Sequence, residues 1–509
     1  MKTTNMQLLN NIEEPNLMFG FEQKMKDPKD GLLLFGPLSE RKPLSIRIGI
    51  IGTNIGISRY KRWVEKISGY IPPDTTQALH SKAFPGFKST FGSIWPLHPV
   101  SEIEISKNEI FESLLIKDRH QAIFKTVGIF EKAIRTYLKE EDSSVDLWFV
   151  AIPEEIHRLG RPKSTVFSNQ AIPTGNLVTK RSGHKLLTQP SLIYPEDNTI
   201  AQSYLYEVNF HNQLKARLLD IGAVIQIVRE TSLTPEDFLI LGKPLRRLQD
   251  SASVAWNLCT TAFFKAGGRP WKLADVRKGV CYIGLVFKMD SSNVLGGNAC
   301  CGAQMFLDSG DGLVFKGAVG PWYSNTTKEF HIPYEKAHEL VTKVVVAYER
   351  ENGHPPLELF IHGKTYFNDD EWKGFQSAVT SETKLVGVRI KDARDLKLYT
   401  PTLSPVLRGT AYQVNLNHGY LWTKGYIPTL HTYPGREVPN PLDIRIHRGE
   451  GDLLQVMHDI MGLTKVNFNA CIFADGYPVT LRFADAVGEI LTAAPIPGDL
   501  PPLPFRHYI

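Results

Sequence analysis

Phe264-Lys265-Ala266-Gly267-Gly268-Arg269-Pro270-Trp271 divides the chain. Paired glycines followed by Arg-Pro stop the helical pattern of residues 251–266, because glycine takes up the turn at a helix end and proline cannot donate to the next one. Before this stretch, strands alternate with helices. Ile46, Ile48, Ile50 and Ile51 make a buried-type strand, Gly52-Thr53-Asn54 a turn, and residues 58–66 the start of a helix. Ile123, Val127, Phe130, Ile134 and Tyr137 fall at helical spacing over residues 120–139. An apolar strand follows at 145–152, then a polar surface loop over 157–190, a helix at about 200–220 and a strand at 223–228. Such alternation predicts a parallel sheet between helical layers, an α/β fold. Gly49, Gly52 and Gly56 do not match G-x-G-x-x-G, and no acidic residue is placed to hold a ribose. Near the start, the apolar run Leu32-Leu33-Leu34-Phe35 lies between Asp30-Gly31 and Gly36-Pro37 and reads as a strand or extended segment.

After the glycine pair the rhythm changes. Residues 280–288, 299–307 and 313–319 read as three successive strands, with Asp311-Gly312 as a turn between the last two. A helix at about 334–350, a strand at 357–362, a short helix at about 368–378 and a strand at 384–390 come next, and helices at about 450–462 and 480–493 close the chain. Three antiparallel strands followed by α-β-α-β is the order of an RNase H-like domain.

Composition sets the outer limits. The 509 residues allow about two to four domains. With 42% hydrophobic and 22% charged residues, wholesale disorder is excluded. A net charge of +5 is too small to mark a nucleic-acid binder by itself, so any basic surface must be local. Cys259, Cys281, Cys300, Cys301 and Cys471 show no zinc spacing and are odd in number, which points to a reducing cytoplasm. Residues 1–20 lack the order of a signal peptide, and no apolar run approaches ~18 residues, so no membrane association is expected.

Several polar residues sit in apolar settings. Tyr204, Val208, His211, Lys215 and Leu218 follow at spacings of four, three, four and three, which puts two basic side chains on one apolar helix stripe. Gln226 is the only polar member of its strand and lies toward the carboxyl end, where open α/β sheets place ligands. Lys265 occupies the last turn of its helix. Buried polar groups cost ~1–3 kcal/mol each when unpaired. A terminal phosphate, with a charge of about −1.5 to −2 and several acceptor oxygens, would suit them jointly. Each also has a plainer reading: Lys215 could snorkel to water, His211 could be satisfied in the core, Gln226 could bond a loop and Lys265 could favour the helix end. Periodicity alone leaves these open.

His211-x3-Lys215, then Gln226, then Lys265 in the glycine-pair stretch, resembles the MID domain of Argonaute proteins, where a Tyr/His-Lys…Gln…Lys set holds the 5′-phosphate of a guide strand. All four positions match. The stretch Gly31-Leu32-Leu33-Leu34-Phe35-Gly36-Pro37 is similar to the segment leading into MID in prokaryotic members, and residues 280–509 look like PIWI, the family's RNase H-like domain. The resemblance implies an N-terminal segment over 1–45 packed on the core, a Rossmann-like MID domain over 46–268 and a PIWI domain over 269–509. The chain is too short to add the usual N-terminal and PAZ domains, so it is similar to the short prokaryotic Argonautes. Asn298-Ala299-Cys300-Cys301, Gly320-Pro321-Trp322-Tyr323 and Phe473-Ala474-Asp475-Gly476 most resemble members paired with a TIR-APAZ protein. The tail, Phe505-Arg506-His507-Tyr508-Ile509, is apolar and aromatic where a loose end is usually polar, so it is expected to dock. The resemblance implies that the terminal carboxylate, on Ile509, reaches the MID pocket and binds Mg²⁺ together with the guide phosphate.

Slicing Argonautes hold two metal ions with a carboxylate-rich tetrad on PIWI. Aligned with that pattern, the first aspartate position falls on Val286, the next on Lys364 and the last on Asp485, while the glutamate has no clear counterpart. Valine cannot coordinate Mg²⁺, an ammonium repels it, and one carboxylate cannot hold two ions, so no slicing is expected. Asp308, Asp311, Asp369, Asp370 and Glu371 read as turn or helix-start residues. Arg269, Lys272, Arg277 and Lys278 cluster against Asp275 alone and suit a nucleic-acid backbone. Arg59, Lys61, Arg62 and Lys66 form a second cluster that reads equally as a solvated helix face. Together the resemblance implies a cytoplasmic, catalytically inactive subunit. It would bind guide RNA, pair with a single-stranded DNA target and form a heterodimer with TIR-APAZ. Target binding would assemble a higher oligomer whose TIR domain hydrolyses NAD⁺ in defence against plasmids or phage. An active guided endonuclease, a Sir2-like or nuclease effector as partner, and a nucleotide-binding metabolic enzyme are the alternatives.

Overall fold

A computed structural model describes the chain outside residues 1–8, 39, 41, 74–80, 142–143, 174–177, 247, 290–298, 307–311, 325, 434 and 496–500; of Val286, Ala299, Cys300, Cys301 and Ala318 it describes the backbone. Two sheets organise it. The first is parallel and runs β2 (Ser101–Glu104), β1 (Ile48–Gly52), β3 (Leu147–Ile152), β4 (Ile225–Arg229). Every residue of β1 and β3 is buried, as strands covered on both faces must be. Helix α1 (Asn54–Ser68) starts where the Thr53 hydroxyl accepts the Gly56 amide at 3.1 Å, and α2 (Arg119–Glu140) where Asp118 accepts the Gln121 amide at 3.0 Å. Ile123, Val127, Phe130 and Ile134 of α2 are buried against Trp148, Val150 and Ile152 of β3, together with Phe210 and Leu214 of α3 (Phe210–Arg217). On the other side lies α4 (Ser251–Lys265), with Trp256 and Phe263 in the core.

The second sheet has ten strands and is mixed. The strands β5 (Val280–Met289), β6 (Ala299–Phe306) and β7 (Gly312–Gly320) form an antiparallel meander. Beside β5 lie β8 (Glu358–Gly363) and β9 (Lys384–Asp392), both parallel to it. Helices α5 (Tyr334–Asn352) and α6 (Asp369–Ser377) cover one face, where Ile283, Leu359 and Ile361 meet Val341, Val344 and Phe375. This is the RNase H-like order expected above. The sheet continues outward from β9 through β12 (Leu442–Arg448), β11 (His418–Leu421) and β10 (Thr410–Asn415) to Leu9–Asn11 at its edge. On the other face α7 (Leu453–Leu463), α8 (Val479–Arg482) and α9 (Ala484–Leu491) pack Met457, Ile460, Leu481 and Val487 into the core that Tyr282, Phe360 and Val388 share. Among the described residues no helix is long and apolar enough to cross a membrane.

Several local expectations need correction. The helix expected over 200–220 is three pieces: Pro195–Gln202, a 3-10 turn at Ser203–Leu205, and α3. Asn209 caps α3 by accepting the Asn212 amide, so Tyr204 and Val208 do not share a helix with His211 and Lys215. Gln226 is the second residue of β4, nearer its amino end. The run Leu32–Phe35 is helical, part of Pro28–Phe35, because Asp27 caps it and proline fits the first helical position. Within the expected loop over 157–190 lies a helix, Lys180–Thr188, and α8 and α9 divide the helix expected over 480–493. The N-terminal segment is tied in by charge: Glu14 accepts from Arg408 and from Lys465, each at 2.7 Å.

Candidate functional site

His211, Lys215, Gln226 and Lys265 converge. His211 and Lys215 stand one turn apart on α3. The Lys215 ammonium, 4% exposed, donates to the Ile509 carbonyl at 2.8 Å and to that of Tyr508 at 3.3 Å. The Lys265 ammonium, 1% exposed, donates to the Ile225 carbonyl and to Gln226 Oε1, both at 2.9 Å. The Gln226 amide donates in turn to the Ile227 carbonyl at 3.2 Å. Burial pushes Lys215 down to about 7. Lys265 is held well below the ordinary lysine range by burial and then by the charge of Lys215. Burial on its inner side and the charge of Lys215 likewise hold the His211 imidazole low, although its outer edge is exposed. Among the described residues no Asp or Glu pairs with either lysine; a terminal carboxylate on Ile509 would offset one of the two. The two lysines therefore sit in a dry place that disfavours their charged forms, a burden that a nearby anion would relieve.

A cleft of about 430 Å³ opens beside His211, lined also by His157, Arg161, Asn212, Ile227 and Arg229. Ile152 and Arg229, the last residues of β3 and β4, border it, so it lies at the carboxyl ends of the strands. The tail packs against Lys215. A two-residue strand, β13 (Leu503–Pro504), pairs with β7, and Phe505 packs against Phe306 and Phe483 at ring separations of 5.5 and 5.2 Å. The tail thus docks, as its apolar character predicts, and delivers Tyr508 and Ile509 to Lys215. A divalent ion here would find no Asp or Glu cluster among the described residues, and the oxygens of Ile509 and Tyr508 are already engaged by Lys215. The donor set suits a metal only where a phosphate supplies further oxygens.

On the second sheet, Val286 lies opposite Gly302, and Lys364 directly follows β8. Lys364 and Asp485 meet at 2.9 Å in an exposed ion pair. Among the described residues no group of three or more His, Cys, Asp or Glu is placed to hold a metal. Glu371 accepts the Asn368 and Ile332 amides at the start of α6, and Asp369 pairs with Arg448 at 2.6 Å, both in keeping with structural roles. Asp308 and Asp311 lie outside the described residues.

The basic clusters fare differently. Arg277 is not free for a phosphate backbone: it pairs with Glu358 and with Asp459 and lies over the Phe360 ring at 5.3 Å. Arg269 is 6% exposed and so does not present a surface charge. Lys272 is half-buried in a short strand paired with Met18, and Lys278 is exposed. In the other cluster, Arg59 is largely buried and pairs with Glu230 and Asp237, while the more exposed Arg62 and Lys61 pair with Asp237 and Glu102 on the solvated side of the helix. Reasoning from sequence passed over Asn212 and Arg506. Asn212, which donates to Glu207 and Glu489 at 3.3 Å each and so links α3 to α9, had no signal beyond adjoining His211. Arg506 had one, a basic pair with His507 inside an apolar tail.

No protein-family model matches the chain, and no curated protein matches it in sequence. Solved structures do. One is Clostridium butyricum Argonaute bound to a guide DNA with a 5′ deoxycytidine and a 19-mer target DNA, at a TM-score of 0.61 and 14% identity, covering 99% of this chain and 55% of that one. Another is Aa-Ago with externally bound siRNA, at a TM-score of 0.55 and 12% identity, covering 98% of this chain and 56% of that one. At such identities the likeness is one of fold: the chain is α/β throughout and has the architecture of the MID and PIWI parts of Argonautes. It spans about half the length of the solved structures it matches.

Proposed function

We propose that this chain, built on the Argonaute fold, anchors the 5′-phosphate of a guide RNA and presents the following bases to a complementary single-stranded DNA. The observation that carries this reading is the convergence of Lys215, Lys265, Gln226 and His211, two buried lysines with which no Asp or Glu among the described residues pairs. A terminal phosphate brings the missing charge and acceptor oxygens, each ready for a charge-assisted bond. His211 stands where this cluster meets the cleft, so the first nucleotide would lie in the cleft while its phosphate reaches inward. Specificity then comes from base pairing, with the protein holding backbone. Mg²⁺, held between Ile509 and the phosphate, would bridge two anions.

The chain binds without cutting. Val286 and Lys364 replace two carboxylates of the slicing tetrad, and Lys364 neutralises Asp485. Output therefore falls to a partner, a TIR-APAZ protein whose TIR domain hydrolyses NAD⁺ once target binding has assembled the complex, in a cytoplasmic defence against plasmids or phage. The partner rests on the three sequence stretches that resemble TIR-APAZ-linked members. Co-expression with the neighbouring gene and sequencing of the bound nucleic acid tests the whole reading. Short 5′-phosphorylated RNA and a co-purified TIR-APAZ chain are expected. A preparation free of nucleic acid would overturn the guide assignment, and cleavage of a complementary strand in Mg²⁺ or Mn²⁺ would overturn the inactive one.

A further inference from the structure

Resting on that reading, we propose that Arg506, on the docked tail, seats an internucleotide phosphate near the 5′ end of the guide, so that the tail is itself part of the guide-binding surface. Beyond Lys265, where α4 ends, a second cleft of about 250 Å³ lies between the tail and the glycine pair. Gly267, Gly268, Arg269, Phe505 and Arg506 line it. Gly267 takes φ +93°, and a Cβ there would stand 3.3 Å from Arg506 Nη1, so glycine lets the guanidinium approach the helix end.

Arg506 is half-buried, yet among the described residues it makes no hydrogen bond and no ion pair, and its Nε is buried without a partner. That is unusual for a side chain with five donors, since buried donors are nearly always matched. Its neighbour His507, 7% exposed, has an unpartnered Nδ1 as well. Glu351, the acid that lines the cleft, is exposed near the end of α5 and forms no ion pair with Arg506. Lys215, Lys265 and Arg506 are thus three cations grouped where the tail meets α4. The two lysines suffice for a terminal phosphate. An arginine fork, planar and matched to phosphate oxygens, is left for another anion of the same strand.

The test compares Arg506→Ala, Arg506→Lys and the wild-type full chain by fluorescence anisotropy. Probes are one short RNA with a 5′-phosphate, the same RNA with a 5′-hydroxyl, and versions carrying an uncharged methylphosphonate at the first or second linkage. Arg506→Ala is expected to weaken both 5′ forms by about tenfold. It is expected to make the dependence of log affinity on log salt shallower by roughly one unit, to lose its effect on one methylphosphonate probe, and to be partly rescued by Arg506→Lys. Unchanged affinity would overturn the proposal. So would a loss confined to the 5′-phosphorylated RNA, which would assign Arg506 to the terminal phosphate. An equal loss on every probe with an unchanged salt slope would reduce Arg506 to a structural role and overturn it too. A wild type that binds no single-stranded RNA would remove the guide reading and this seat together; one that prefers a 5′-phosphate while Arg506→Ala is silent would remove this seat alone.

Discussion

Raising the pH above neutrality is expected to weaken guide binding, and the loss should belong to the 5′-phosphate. Burial holds Lys215 down to about 7, so the free protein carries that ammonium about half the time near pH 7. Near pH 8.5 the charged fraction falls to roughly 3%. If the bound phosphate requires the charged form, affinity falls about 16-fold over that interval, or ~1.6 kcal/mol. Lys265, held well below the ordinary range, adds to the loss in the same direction. A terminal carboxylate on Ile509 would raise Lys215 and move the loss to higher pH without reversing it. The second ionisation of a phosphate lies near 6, so the ligand stays a dianion across most of this window. The assay is anisotropy with one RNA carrying either a 5′-phosphate or a 5′-hydroxyl, at fixed salt because backbone contacts depend on it. The ratio of the two affinities isolates the pocket. A ratio that stays flat or grows as pH rises would refute the proton linkage.

The same lysine leaves a mark on the ligand-free fold. Unfolded Lys215 keeps its proton up to the ordinary lysine value of 10.5 and the folded form releases it near 7, so its burden is fully present below about 7 and is relieved as pH rises toward 10.5. Melting of the free protein is therefore expected to shift upward through that window, and Lys215→Met to flatten the slope; an identical slope would contradict the burial. Glu14→Ala strands Arg408 and Lys465 in the core, at a cost of about 3–5 kcal/mol in denaturant unfolding, and a change below about 1 kcal/mol would show the contact to be idle. Burial works against the Glu14 charge, but Arg408 and Lys465 still hold its carboxyl below the ordinary range. Its contribution is thus present above the usual glutamate pKa and is lost as pH falls through the folded value. Lys364→Ala removes an exposed ion pair, so stability changes by less than about 1 kcal/mol and no cleavage appears in Mn²⁺; a gain of cleavage would mean that Asp485 has metal-binding companions after all.

What could be read from sequence follows from how local each signal is. Long periodic elements such as α2, and fully apolar strands such as β3, declare themselves because burial repeats within the element. So did the α/β order of both halves, and with it the fold. Of the four residues that converge, Gln226 and Lys265 were legible as polar exceptions in apolar stretches, whereas His211 and Lys215 lie in a short polar helix and were picked out by the resemblance and not by a true apolar stripe. Long-range pairing was not. Arg277 looked like a free cation among its neighbours in sequence, while its partners Glu358 and Asp459 lie far along the chain. The spacing from Tyr204 to Lys215 mimicked one helix because nothing in periodicity registers that Asn209 caps a new one. The strands β10 to β12 went unread, although Leu442-Asp443-Ile444-Arg445-Ile446 alternates buried with half-buried residues as an edge-ward strand should. Leu9–Asn11 has too little hydrophobic pattern to announce that it completes the sheet against β10.

The central claim is that a pair of buried lysines waits for a terminal phosphate. It is tested most directly by measuring, near neutral pH, how strongly the chain prefers a 5′-phosphorylated over a 5′-hydroxyl RNA, in the wild type and in Lys215→Met with Lys265→Met. The account predicts a preference of at least about tenfold in the wild type and equal affinities in the double variant, with the fold retained by circular dichroism. Equal affinities in the wild type, or a preference that survives loss of both lysines, would contradict it.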